Sequence, residues 1–140
     1  GQEALDTLMK RMEDDRGKFV VIASGYKDNM DAFMSVNPGL SSRFTHRMHI
    51  DDYNEDELLS IFKKMASKDE YVLSQAAELK LMDAICRLVV SKDSQFGNAR
   101  EMRNLLDKII QHLSYRVSKM QPSEITEDVF KVIMPEDIYN

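Results

Sequence analysis

The amino-acid sequence predicts a mainly helical chain, with an α/β remnant over residues 1–52 followed by a helical bundle over residues 53–140. Three observations lead there. Apolar residues recur at helical spacing over much of the length, the period of helices with one buried face. A single continuous apolar run, Phe19-Val20-Val21-Ile22-Ala23, breaks that pattern. It is rich in β-branched residues, as a strand buried on both faces is. After Asp51-Asp52-Tyr53, every periodic segment reads as helix.

The first helix rests on Leu5, Leu8, Met9 and Met12, at i, i+3, i+4 and i+7, and Gly17 reads as its C-cap. The run Phe19–Ala23 follows, with a glycine on each side. A central parallel strand needs neighbours, and this chain supplies few, so the strand belongs to something larger. Its unpaired edge predicts a dimer or a strand exchange in isolation. Ser24-Gly25-Tyr26 lies beyond the carboxyl end of the strand, where open α/β sheets keep their ligand contacts. Met30, Phe33 and Met34 mark a short helix, which Asn37-Pro38-Gly39 breaks with turn chemistry. Ser41 to Phe44 reads as a single helical turn. Arg47 through Ile50 alternates polar and apolar, the pattern of a second short strand. A short parallel two-strand piece is therefore expected here, with four helices after it.

Asn54 caps the first of those helices, with Glu55, Asp56 and Glu57 in its first turn and Leu58, Ile61, Phe62 and Met65 as its core face. Ser74 caps the second, which runs to about Val90. Its apolar residues (Leu79, Leu81, Met82, Ile85, Leu88, Val89) fall on more than one side, so it is expected to be central. Asn98, with Glu101 three residues on, reads as a capping box. It opens a third helix through Met102, Leu105, Leu106, Ile109 and Leu113 to about Lys119. Thr126 caps a short fourth helix through Val129, Phe130, Val132 and Ile133, stopped by Pro135.

Composition narrows the function. A net charge of −5 argues against gripping nucleic acid through its phosphates. No apolar run is long enough to span a membrane, and no signal peptide opens the chain. Cys86 is the one cysteine. It lies on a helical pattern and reads as core filler, in keeping with a reducing cytoplasm. The ten methionines sit mostly at apolar helix positions and read the same way. His46, His49 and His112 form no HExxH, and neither CxxC nor a nucleophile elbow occurs. The pairs Asp14-Asp15 and Asp51-Asp52 fall at element ends, where solvated charge is the usual role. A stand-alone enzyme is therefore disfavoured.

Two arginine-bearing stretches remain. Between Asp31 and Asp51 there is no acid, yet Arg43, His46, Arg47 and His49 lie there. Such a locally positive stretch in an acidic chain is a candidate anion-facing surface. Arg100 falls in the first turn of the third bundle helix. A cation there is locally unfavourable, by roughly 0.3–1 kcal/mol. Either an anion docks on it, since a helix N-terminus with an arginine is a phosphate site, or Arg100 is solvated or paired with an acid. Arg103 stands one turn on and has Asp107 at i+4 as an ion-pair candidate.

Taken in order, Phe19-Val20-Val21-Ile22-Ala23-Ser24-Gly25-Tyr26, Asn37-Pro38-Gly39-Leu40-Ser41-Ser42-Arg43-Phe44, Asp52-Tyr53, Gly97-Asn98-Ala99-Arg100 and Arg103-Asn104 resemble the C-terminal portion of an AAA+ ATPase. The resemblance is to the CbbX and stage V sporulation protein K group and covers nearly the whole chain. It implies that residues 1–52 end the nucleotide-binding α/β subdomain and that 53–140 form the helical lid. Arg43 would be the arginine finger, acting on nucleotide held by a neighbouring subunit, where a guanidinium neutralises charge on the transferred phosphoryl group. Arg100 would be the sensor-2 arginine. Gly25 and Tyr26 would lie in the sensor-1 region, and Arg47 and Arg103 are weaker candidates.

The chain departs from the family pattern in two respects. Ser24-Gly25-Tyr26 stands where many members have a polar Asn or Thr. No Gly-x-x-x-x-Gly-Lys-[Ser/Thr] occurs, and no apolar strand ends in Asp-Glu, so the phosphate cradle and the Mg2+ ligand are missing. The chain therefore reads as a piece beginning inside the nucleotide-binding lobe. Alone it is expected neither to bind ATP tightly nor to hydrolyse it. Its parent would use ATP and Mg2+ in a hexameric cytoplasmic ring and remodel a protein substrate, with no nucleic-acid or membrane partner. The alternative is a non-catalytic helical module that binds a partner protein.

Overall fold

A computed structural model describes residues 1–93 and 95–139, apart from the side chain of Gln2. It divides into two units, Gly1–Ile50 and Asp51–Asn140. The class is mainly α. Six α-helices and one pair of short parallel strands are present among the described residues.

The first unit holds α1 (Gln2–Asp14), α2 (Lys27–Val36) and α3 (Pro38–Arg43). Helix α1 is capped at Asp15, and Gly17 lies in the following turn with φ of +83°, a conformation glycine takes without steric cost. Asn37 caps α3, its side chain accepting the Gly39 N–H at 2.8 Å, and Pro38 takes the first helical position. Leu40 is fully buried, and the rings of Phe33 and Phe44 meet edge-on at 6.2 Å. The strands expected at Phe19–Ala23 and Arg47–Ile50 are corrected: both segments lack regular secondary structure. Val20, Ile22, Met48 and Ile50 are all at least 85% exposed. A strand exists only through its ladder partners, and the described part of this unit provides none.

The second unit is built on α4 (Glu55–Lys68), α5 (Gln75–Val90) and α6 (Ala99–Ser118). Asn54 and Glu57 close a reciprocal capping box at 2.9 Å in each direction, and Ser74 caps α5. Helix α4 packs against both α5 and α6, so α4 is central and not α5. Leu79, counted toward an all-round apolar α5, is exposed. Leu58, Phe62 and Ala66 of α4 meet Leu81 and Ile85 of α5 and Met102, Leu106, Ile109 and Leu113 of α6 in one core. Leu79 apart, the apolar positions read from the 3.6-residue period in α4, α5 and α6 are buried or partly buried.

The parallel strands lie in this unit. Strand β1 (Val72–Leu73) pairs with β2 (Val132–Ile133), with Val72 opposite Val132 and Leu73 opposite Ile133. Helices α5 and α6 make the crossover a parallel pair requires. The expected fourth helix is corrected to a 3-10 turn, Glu127–Phe130, followed by β2. The β-branched Val132 and Ile133 bond better across to β1 than along a helix. A last 3-10 turn, Pro135–Asp137, rests on α5 and α6. Asp137 is buried there and takes a two-pronged hydrogen bond from Arg116, at 2.8 and 2.9 Å.

Candidate functional site

In the first unit the candidate centre is Arg43, the last residue of α3. Its Nη1 donates to the Gly39 carbonyl at 3.3 Å, one turn back, and its Nη2 donates to Glu13 of α1 at 3.2 Å. The side chain is about a quarter exposed, at 28%, and Nε is buried without a hydrogen-bond partner. Glycine at 39 makes this approach feasible, since a Cβ there would stand 3.2 Å from Arg43 Nη1. Asp15 is occupied by Arg11 and Lys18. Arg43 lines a cleft of about 260 Å3 with Glu13, Arg16, Phe19, Ser42 and Thr45. Its guanidinium is thus held at two points by its own unit while the side chain stays partly exposed. A fork so held is suited to an incoming anion.

Tyr26 precedes α2 in an extended conformation, and its carbonyl accepts the Met30 N–H at 2.9 Å. Gly25 lies against Met30, whose Sδ would be 3.2 Å from a Cβ at 25. Arg47 is exposed in the segment without regular structure.

In the second unit Arg100 is the second residue of α6, exposed, and its side chain makes no ion pair or hydrogen bond among the described residues. The alternative pairing with an acid is therefore not seen there, and the cation stands open at the positive end of a helix dipole. Arg103, one turn on, pairs with Asp69 at the end of α4, at 3.6 Å, and not with Asp107 as its i+4 spacing suggests. Arg103 therefore ties α6 to α4.

The start of α6 differs from its expected form. Asn98 makes no capping hydrogen bond to the helix. Its backbone takes φ of 50° and ψ of −115°, a region that L-residues other than glycine avoid. Its side chain turns instead to the beginning of the unit. Oδ1 accepts the Tyr53 N–H at 3.0 Å, and Nδ2 donates to Asp52 at 2.8 Å. Glu101, the other half of the expected box, folds over Gly97, where a Cβ would be 2.8 Å from its Oε1. Spacing read Asn98 as a helix cap and missed its bonds to Tyr53 and Asp52, and it missed Glu13 altogether. Asp52 lies 46 residues from Asn98 in sequence, and Arg43 lies 30 from Glu13.

The AAA lid domain family matches residues 54–140, more than half of the chain. A CfxQ homologue of Guillardia theta is 38% identical over 138 residues, covering 99% of this chain and 46% of its own length. Stage V sporulation protein K of Bacillus subtilis is 42% identical over 118 residues, 84% of this chain and 37% of its own. The chloroplastic ribulose bisphosphate carboxylase/oxygenase activase of Cyanidioschyzon merolae is 36% identical over 138 residues, 99% of this chain and 46% of its own. The chain belongs to the AAA+ ATPases of the CbbX and stage V sporulation protein K type and carries their helical lid. It spans less than half the length of these relatives.

Proposed function

We propose that this chain is the finger-and-lid portion of a ring-forming AAA+ ATPase that couples ATP binding and hydrolysis to remodelling of a protein partner. The observation that carries the reading is Arg100, an exposed arginine without a partner among the described residues, in the first turn of the lid helix α6. Such a site is complementary to phosphate oxygens. Arg100 is the sensor-2 contact to nucleotide bound by the same subunit. Arg43 is the arginine finger toward the neighbouring subunit's nucleotide, and its two-point support by Glu13 and the Gly39 carbonyl favours this. Gly25 and Tyr26 lie in the sensor-1 region. Arg47 is a further cation four residues after the finger in sequence, and Arg103 supports α6.

ATP with Mg2+ supplies the phosphoryl chemistry when bound. The residues here fit contacts to its phosphates. They do not include a cradle for the β-phosphate, and no group of three or more His, Cys, Asp or Glu residues suited to a metal ion occurs among the described residues. Tight nucleotide binding therefore depends on further sequence of the parent. Ring assembly, hexameric by family likeness, follows from a finger that acts in trans. Relatives named for carboxylase activation and sporulation point to a protein substrate. No helix among the described residues is long and apolar enough to cross a membrane, and a cytoplasmic ring is in keeping with that.

The test is ATP turnover by the full-length parent carrying single alanine substitutions. Arg43→Ala is expected to lower turnover on the order of a thousandfold. Arg100→Ala is expected to weaken nucleotide binding about ten- to a hundredfold, the worth of a charge-assisted hydrogen bond. Unchanged turnover in Arg43→Ala, or unchanged nucleotide affinity in Arg100→Ala, removes that residue from its role. Calorimetric titration of the 140-residue chain with Mg-ATP is expected to give no micromolar binding.

A further inference from the structure

The start of α6 is strained and fastened at the same residue. Asn98 holds φ of 50° and ψ of −115°, a conformation glycine would adopt freely. Glycine would lose the fastening. Asn98 Oδ1 accepts the Tyr53 N–H at 3.0 Å, and Nδ2 donates to Asp52 Oδ1 at 2.8 Å and to the Phe96 carbonyl at 3.4 Å. Lys92 reaches the other Asp52 oxygen at 2.9 Å. Meanwhile the Asn98 carbonyl accepts the Met102 N–H at 3.3 Å, so its backbone opens the α6 ladder. One residue later than Tyr53, Asn54 caps α4. A single side chain thus ties the beginning of α6 to the beginning of α4. Both its oxygen and its nitrogen are used, which only an amide of this length provides. Aspartate would bring a second carboxylate against Asp52.

We infer that Asn98 is a positioning residue for Arg100: its strained backbone and its amide bonds to Asp52 and Tyr53 fix where the first turn of α6 holds the guanidinium. The inference rests on the sensor reading of Arg100. Strain kept at one residue is sustained only when the surroundings over-determine it, and here the bonds to residues 52, 53 and 96 do so. Arg100 lies two residues on, with nothing of its own among the described residues to hold it.

The experiment measures kcat and KM for ATP, with thermal unfolding, in the full-length parent. The variants are Asn98→Gly, Asn98→Asp, Asn98→Asp with Asp52→Asn, Arg100→Ala, and Asn98→Gly with Arg100→Ala. Asn98→Gly relieves the backbone and removes the bonds. It is expected to unfold within about 3 °C of the parent, yet to lose on the order of tenfold in kcat/KM for ATP through misplacement of Arg100. It should cost nothing further on top of Arg100→Ala. Asn98→Asp is expected to be impaired and to recover in part with Asp52→Asn, which exchanges donor and acceptor. Parental kcat/KM in Asn98→Gly overturns the inference, as does an equal loss with and without Arg100. Failure of the exchanged pair to recover while folded overturns it too. Parental kinetics in Arg100→Ala sinks the sensor reading and the inference together. A silent Asn98→Gly beside an impaired Arg100→Ala sinks the inference alone.

Discussion

Asp137 is the one charged residue buried among the described residues of the second unit, at 1% exposure. Its carboxylate takes Nε and Nη2 of Arg116 and also the Met134 N–H at 2.9 Å. Arg116 in turn bonds the Val132 carbonyl at 3.0 Å. The C-terminal segment is thereby clamped to α6. Removing one partner strands the other charge, so Asp137→Ala is expected to lose on the order of 3 kcal/mol in denaturant unfolding. Asp137→Asn, which keeps one acceptor oxygen for Arg116 Nη2 and the Met134 N–H but turns an NH2 toward Arg116 Nε, is expected to lose less. An unchanged midpoint in the alanine variant would remove the clamp from the account. The Arg116 pKa is raised by its hydrogen bonds to Asp137, opposed by burial and aided by the charges of Asp137 and Glu136. A raised pKa contributes stability that is full below the ordinary arginine value and lost only as pH climbs through the raised one. The Arg116 contribution is therefore expected to be flat from about pH 5 to 9.

At the level of elements, capping and amphipathic period agree. The Asn54–Glu57 box satisfies two N–H groups that would otherwise lack partners. Its acidic first turn matches the helix dipole. Because α4 touches both other helices, fraying there is felt by the whole unit. Asn54→Ala is expected to lower stability by about 0.5–2 kcal/mol, read from the urea midpoint of the second unit. Ser74 was equally legible, since a serine before an apolar run is a local signal. Asn98 carried the same local signal and took another role. The box was open to it, but two partners near residue 53 outbid it. Local patterns rank only local alternatives.

For the whole molecule, the exposed apolar residues are informative. Val20 and Ile22 in one segment and Met48 and Ile50 in another stand in solvent with the composition of sheet strands. Segments of this kind recruit other chains. The isolated chain is expected to self-associate at high concentration. Val20→Ser with Ile22→Ser is expected to reduce the association without lowering the unfolding midpoint of the second unit. Static light scattering of both proteins is the check, and a monomeric parental chain would refute it.

The sequence by itself determined the helical class, the presence of the five longer helices with both ends of α5 and α6 to within a residue, two of their caps, most of the apolar faces and the family. All of these are carried by neighbours within a few turns or by motifs in order. It also singled out Arg43 and Arg100. Tertiary structure decided which helix is central, that the parallel pair joins residues 72–73 to 132–133, and that Asp69 is the partner of Arg103. It alone paired Arg116 with Asp137, Glu13 with Arg43 and Asn98 with Asp52. These contacts join residues 21 to 60 positions apart. Side-chain type and spacing do not rank such partners, because closure of the intervening chain and competition among nearby groups select them.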